Sequence, residues 1–312
     1  MAYHLGVDTG GTFTDFVLFN VESGDRVSFK VPSVPRDPAM AVANGLAQLQ
    51  RRFGISPSAI ERFVFGTTVA TNAILERKGA ATALLATQGT RDVIEIQRQW
   101  RQRLFDLYLQ KPDHLVPRRH RLDVRERVSA QGEVLVPLTE AEIDRVARRV
   151  AKLPVEAVAI CFLFSFLNPE HEQRLRDGIK RRRPDLHLSI SSEICPEFRE
   201  FERSCTTVIN GYVMPKVQAL VAKLERVIAD AGCRASFRVM QSNGGLMNAE
   251  KTASHPVHTL LSGPAGGVVS ASAVSAAAGH PDVITMDMGG TSLDVCLVEG
   301  GDRKSTRLNS SH

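Results

Sequence analysis

The sequence lacks most of the features that declare a function by themselves. Its five cysteines (Cys161, Cys195, Cys205, Cys233 and Cys296) are odd in number and no Cys-x-x-Cys pair occurs. That pattern speaks against zinc sites and against a disulfide framework. There is one tryptophan, Trp100, and there are three tyrosines. No aromatic residue interleaves with the short basic runs RRHR (118–121) and KRRR (180–183), as a stacking platform for nucleic acid requires. A net charge of +5 over 312 residues makes no case for nucleic acid either. No apolar run approaches the roughly 20 residues of a membrane span. The chain opens on a strand-like run without a basic, then apolar, leader. A reduced, cytoplasmic setting is the expectation. The Walker P-loop, the G-x-G-x-x-G fingerprint, the H-E-x-x-H zinc helix and the G-x-S-x-G elbow are all missing. His255 and His258 flank a proline, and nothing nearby completes a metal ligand set.

What is present is a core-forming chain, 43% hydrophobic and 23% charged, long enough for one large domain or two ordinary ones. Residues 3–9, 13–20 and 26–31 read as strands joined by tight turns. A helix follows, with Asp37 at its N-cap, Pro38 at its first position and Gly54 as its stop. "RFVFGTT" and "ATALLAT" read as strands on either side of the short helix "TNAILERKG". Residues 88–135, rich in Arg and Gln with weak periodicity, read as an insertion or arm. Thr139 and Glu142 form a capping box, and Ile143, Val146 and Val150 give the apolar stripe of that helix. "VEAVAICFLFSF" has the continuous apolarity of a strand buried on both faces. A helix near 170–183 and the strand "LHLSISS" come next. Residues 197–232 are helical, with an interruption expected at Pro215. "FRVMQSNGGLM" is a strand entering a Gly-Gly turn. "SGPAGGVVSASAVSAAAG" (262–279) is a helix of small residues, able to pack close to another backbone. Ser262 there reads as part of a helix N-terminus and not as a nucleophile. Strands alternating with helices imply an α/β fold with a largely parallel sheet.

One pattern occurs twice: "LGVDTGGTFTDFVLF" (5–19) and "ITMDMGGTSLDVCLV" (284–298). Each reads as an apolar strand, an Asp, a Gly-Gly turn with Thr, a second Asp and a second apolar strand. A Gly-Gly turn exposes backbone N–H groups that, beside a hydroxyl, form an anion-binding concavity. The Asp before the turn would repel a bare phosphate. It is consistent with a Mg²⁺ between them, because Mg²⁺ takes one or two carboxylates, waters and phosphate oxygens. A single Asp-x-Gly-Gly is an ordinary hairpin turn; two matching copies point to a clamp for a polyphosphate.

These two motifs resemble the first and second phosphate motifs of the actin, sugar kinase and Hsp70 ATPase superfamily. The 262–279 helix falls where that superfamily has a connecting hinge. Within it the chain is similar to the hydantoinase A/5-oxoprolinase family. The resemblance runs through "GVDTGGTFTDFVLF", "VFGTTVATNAILERKGA", "TQGTRDVIEIQRQ", "REFERSCTTVINGYV", "MQSNGGLM", "HTLLSGPAGG" and "MDMGGTSLDV", from residue 5 to about 300.

The resemblance implies an α/β, actin-like (RNase H-like) first lobe with an insertion at about 88–150, a hinge helix, and the opening hairpin of a second lobe. It sets an N-terminal domain over 1–196 and the start of a catalytic domain over 197–301. It implies ATP and Mg²⁺, a small cyclic amide whose carbonyl ATP phosphorylates before water opens the ring, and a B-type partner subunit. Ketone-carboxylating relatives make an ATP-dependent carboxylase subunit the alternative, with a small-molecule kinase behind it. An Hsp70-like binding protein would need a peptide-binding module, which is not visible in the sequence. Asp8 and Asp287 match the Mg²⁺-holding, catalytic positions. Gly10, Gly11, Thr12 and Thr14 match the first phosphate loop, and Gly289, Gly290, Thr291 and Ser292 the second. Asp15 and Asp294 follow the loops. Arg98, Gln99 and Asn243 are candidates for substrate contact or interdomain structure. "DRKSTRLNSSH" (302–312) reads as a tail foreign to the family, and the chain as a fragment inactive alone, with the 282–299 hairpin exposing an unpaired edge.

Overall fold

The computed structural model describes residues 2–99, 105, 106, 108, 113–288 and 292–310, and the side chains of all these except 292 and 303–310. The strands β1 (Tyr3–Thr9), β2 (Phe13–Asn20) and β3 (Arg26–Pro32) lead to α1 (Pro38–Phe53), β4 (Ile60–Thr67), α2 (Val69–Leu75) and β5 (Thr82–Thr87). Then come α3 (Val93–Ile96), β6 (Arg121–Val124), β7 (Arg127–Val128), β8 (Val134–Val136), α4 (Glu140–Ala151), β9 (Ala157–Cys161) and α5 (Glu170–Arg182). The chain continues through β10 (His187–Ile190), α6 (Ser191–Ile194), α7 (Glu200–Asp230), β11 (Ser236–Met240), β12 (Leu246–Asn248), α8 (Ala249–Ser254) and α9 (Ser262–Ala277). It closes with β13 (Val283–Met288), β14 (Ser292–Glu299) and β15 (Asp302–Ser310).

Two compact units result: residues 1–72, 218–253 and 258–312 in the first, 73–217 and 254–257 in the second. Each unit draws on separated stretches of chain.

In the first unit a six-stranded sheet runs in the order β12-β11-β4-β1-β2-β3. β1, β2 and β3 form an antiparallel meander, and β1, β4 and β11 are parallel. This sheet is mixed and not largely parallel as expected, because tight turns join its consecutive strands into antiparallel pairs. Its strands alternate buried and exposed positions, so one face is apolar. Phe16, Leu18, Phe63 and Phe65 from the sheet pack with Val42, Leu46 and Leu49 of α1 and with Leu220, Leu224 and Ile228 of α7. Gly54 ends α1 in the left-handed conformation, as expected (φ 68°). Asp37 does not cap through its side chain; its carboxylate accepts from Lys223 Nζ at 3.1 Å instead.

In the second unit four parallel strands run in the order β10-β9-β5-β6. Every residue of β5 and β9 is buried, which explains their unbroken apolarity. Thr139 caps α4 by accepting from Glu142 N–H at 3.2 Å. The Glu142 carboxylate turns to Arg125 N–H and Arg145.

Three expectations are corrected. Pro215 does not interrupt its helix: α7 is continuous over 31 residues with the proline inside. An interior proline costs about 3 kcal/mol. Against that cost stand the buried neighbours Val213, Met214 and Val217, and Ala80 N–H, which donates to the Tyr212 carbonyl at 2.8 Å. The 88–135 stretch is not all arm, because β6 adds a parallel edge to the buried sheet. Arg121 disguised that strand; its guanidinium is buried yet bonded to the Val116 carbonyl and Glu95. The edge of the 282–299 hairpin is not bare, because β15 pairs antiparallel along β14.

A Cβ on Gly45 would lie 2.0 Å from the Phe16 ring, itself fully buried and stacked on Phe29. Alanine gains up to about 1 kcal/mol of helix propensity there, but overpacking costs about 1–3 kcal/mol. Gly45→Ala is therefore expected to lower the urea midpoint of the first unit, and an unchanged or higher midpoint would refute this packing account.

Candidate functional site

Antiparallel pairing places Asp8 opposite Asp15 across β1 and β2. The same geometry recurs at the other end of the chain, where Asp287 stands opposite Asp294 across β13 and β14. Both hairpins belong to the first unit. Burial pushes the Asp8 carboxyl above its ordinary value, and the charges of Asp15 and then Asp287 push it further, partly offset by the Thr9 N–H. Asp8 thus feels both its cross-strand partner and the second hairpin, although its side chain opens to solvent. Burial also raises Asp294, with Asp287 adding to the shift. The Asp294 Oδ1 and Thr9 Oγ1 atoms are buried without a hydrogen-bond partner among the described residues. Lys30 Nζ lies 3.2 Å from Asp15 and relieves part of the negative charge.

The first turn joins β1 to β2. Gly10 N–H donates to the Phe13 carbonyl, closing the hairpin. Gly11 and Thr12 are exposed, and Gly10 is half-buried. Thr14 differs: it is fully buried, and its hydroxyl sits 2.9 Å from Ser33 Oγ. Ser33 in turn donates to the Gly10 carbonyl and, through its N–H, to the Thr12 carbonyl. Thr14 therefore supports the loop from behind. In the second turn, Gly289, Gly290 and Thr291 lie outside the described residues, and Ser292 begins β14.

Two residues outside the motifs shape the site. Gly66 on β4 pairs with Asp8 in the parallel register. A Cβ there would stand 2.7 Å from Asp8 Oδ1, so only glycine leaves the carboxylate its place. The sequence signal was the Gly-Thr-Thr that ends the β4 run. Gly267 on α9 would place a Cβ 3.9 Å from Asp287 Oδ2. The helix that carries it starts after Leu261, a non-glycine in the left-handed region (φ 56°), fixed by an N–H bond to Thr71 Oγ1 at 3.1 Å. Ser262 is buried and donates to the Thr67 carbonyl, so it is not an available nucleophile. Of the other candidates, Arg98 makes a bidentate pair with Glu202 (2.7 and 2.6 Å). Asn243 Oδ1 accepts from Gly245 N–H and shapes its turn. Gln99 is exposed, with φ 58°.

Among the described residues no three His, Cys, Asp or Glu side chains cluster as a ready metal cage. A site with one or two carboxylates, the rest of the shell being water and phosphate, needs no such cage. The crowded Asp8 and the partnerless Asp294 oxygen suit a cation of that kind.

Because Asp8 has a raised pKa in the folded state, its charge destabilises the fold above that raised value. As pH rises from the ordinary carboxylate range through the raised pKa, stability is lost. Asp8→Asn should remove this pH dependence and raise the urea midpoint at neutral pH. A lower midpoint in D8N would contradict the electrostatic account. Gly66→Ala keeps every charge but displaces the carboxylate. Where Asp8 holds Mg²⁺, as proposed below, this variant should weaken Mg²⁺-dependent nucleotide binding by about 10- to 100-fold, the usual scale for disturbing a metal ligand's support, measured by titration calorimetry.

The chain matches the model of the hydantoinase/oxoprolinase N-terminal region over residues 4–182 and that of hydantoinase/oxoprolinase over 203–308. The caprolactamase subunit alpha of Pseudomonas jessenii is 36% identical over 305 residues, 96% of this chain and 44% of that protein. The nucleotide-free structure of acetone carboxylase, from work on ATP-dependent acetone carboxylation, superposes with a TM-score of 0.87 at 28% identity, covering 96% of this chain and 44% of that one. The ATP-dependent caprolactamase structure from Pseudomonas jessenii gives a TM-score of 0.84 at 35% identity over 94% of this chain and 43% of that one. The chain thus spans less than half the length of these relatives. No helix among the described residues is long and apolar enough to cross a membrane. With both family models matched across nearly the whole chain and the fold superposing on these relatives, this actin-like α/β protein belongs to the hydantoinase/oxoprolinase family.

Proposed function

We propose that the protein is the nucleotide-handling part of an ATP-dependent hydrolase of small cyclic amides. The observation that carries this reading is the pair of facing Asp-Asp hairpins within one unit, with Asp8 crowded by both. Asp8 and Asp287 would hold Mg²⁺ directly or through water. Gly10, Gly11 and Thr12 would receive phosphate oxygens from one side, and Gly289, Gly290, Thr291 and Ser292 from the other. Mg²⁺, when bound, supplies charge neutralisation at the phosphates. Phosphoryl transfer depends mostly on such positioning and neutralisation. The Thr14–Ser33 bridge keeps the first loop in shape, and Gly66 keeps room for Asp8.

The chemistry balances as follows. The amide oxygen attacks the γ-phosphorus and ADP leaves. Water adds to the activated carbon, the ring C–N bond breaks as the nitrogen takes up a proton, and a second water hydrolyses the resulting acyl phosphate to give the amino acid and free phosphate. Caprolactamase and the oxoprolinase family name support this class of reaction. A second reading, ATP-dependent carboxylation of a ketone, is favoured by the close superposition with acetone carboxylase. Relatives designated as subunits support a partner subunit, and we take that partner to be of the B type. Five free cysteines suit a reducing, cytoplasmic setting.

The test is phosphate release from ATP by a chain carrying the further sequence that its relatives have, with a B-type subunit added. The panel is 5-oxoproline, hydantoin, N-methylhydantoin, caprolactam, and acetone or acetophenone with bicarbonate. Release with one cyclic amide, matched by an equal amount of ring-opened product, is the expected result. Release only with a ketone and bicarbonate would move the protein to the second reading. Release with none would overturn both.

A further inference from the structure

A cavity of about 220 Å³ lies wholly within the second unit. Its walls are apolar, formed by Ile94, Leu115, Val116, Phe201, Cys205 and Val208. Sites for drug-sized ligands run from about 300 to 1,000 Å³. This one is too small for a nucleotide and suits a single small ring. Burial pushes the Cys205 thiol up to about 11. The side chain is therefore neutral, an apolar wall and not a nucleophile.

The lining also has polar members. Gln97, Asp113 and His114 complete the lining. An adjoining cleft shares Gln97 and Phe201 and adds Arg98, Arg199 and Glu202. Arg98 and Glu202 neutralise each other in their bidentate pair. Arg199 has no carboxylate partner among the described residues; its guanidinium lies 5.2 Å over the Phe198 ring. His114 Nε2 stands 3.2 Å from Glu95 Oε1. The backbone here is also strained. Gln97 (φ 58°, ψ −147°) and Arg199 (φ 81°) hold conformations that side chains rarely adopt. Such strained positions are costly and gather where ligands bind.

We propose that this cavity binds the ring of a small cyclic amide. The methylene edge would lie against Ile94, Val116 and Val208. The amide edge presents a carbonyl acceptor beside an N–H donor. The lining answers with a donor from Gln97 and an acceptor from Asp113, and Arg199 offers a further donor from the adjoining cleft. The choice of ligand rests on the cyclic-amide reading above; the cavity and its lining do not.

The test is saturation-transfer NMR of caprolactam, 5-oxoproline and hydantoin with the 312-residue chain, without ATP. Transfer to the ring protons of at least one of them is expected. Cys205→Trp fills the cavity and should abolish it, with circular dichroism as the check on folding. The rim double variant Gln97→Ala/Arg199→Ala, which touches no core residue, should weaken binding at least tenfold. Unchanged binding in both variants would place the ring elsewhere and overturn the proposal, as would no binding to the unaltered chain. Neither result touches the phosphate-release assay. Conversely, ring binding here with no cyclic-amide-dependent phosphate release would sink the functional reading and leave the pocket standing.

Discussion

Asp8 and Asp15 face each other across β1 and β2, Asp287 and Asp294 across β13 and β14, and Asp8 feels Asp287 as well. Like charges directly opposite on paired strands repel. Neither hairpin favours this arrangement by itself, so the rest of the unit must impose it. The imposition is traceable. Phe16 lies one residue beyond Asp15, on the opposite face of β2, stacked on Phe29 with centroids 4.9 Å apart. Ser33 ties the first turn to the start of the next segment through three hydrogen bonds. The β1–β4 register brings a glycine, and no other residue, against the Asp8 carboxylate. Repulsion held by packing is a ready site for a cation, which would relieve it.

The second unit solves a different electrostatic problem, that of polar groups inside a parallel sheet. Glu172 is completely buried and accepts from Phe162 N–H, Ser191 Oγ and Ser192 N–H. Glu126, also buried, takes the Thr87 hydroxyl and pairs with His171 Nδ1 at 2.8 Å. Arg203 reaches the Phe162 carbonyl and Ser165 Oγ and lies over the Phe166 ring. A buried charge without such partners would be costly. Here the charges join strand ends to helices, so that β9, α5 and α7 are wired as well as packed.

Much of this was legible in the sequence because period and punctuation carried it. The strands 3–9 and 13–20, the α1 boundaries at Pro38 and Gly54, and the buried runs of β5 and β9 follow from alternation, capping and unbroken apolarity. The acidic hairpins were legible because they repeat. What escaped notice depends on distant partners. β6 was hidden because Arg121 looks exposed until Glu95 and the Val116 carbonyl are found beside it. Pro215 reads as a breaker because its packing is tertiary. Thr14 reads as a phosphate ligand until Ser33, nineteen residues on, claims its hydroxyl. The role of Gly66 requires the parallel register, which no local pattern specifies.

Gly45 beneath the Phe16 ring has counterparts in Gly79 beneath Tyr212, where an added Cβ would lie 2.1 Å away, and Gly178 beneath Ile143, at 2.2 Å. Each is an interlock between a residue without a side chain and a bulky one far along the chain. The two members cannot change independently. Enlarging the glycine first meets the ring or branch, whereas trimming the bulky partner first opens the space the enlargement needs. Divergence at these places is therefore ordered in time: the large residue must shrink before the small one can grow. Lineages that differ at both positions will have passed through the looser intermediate and not the crowded one.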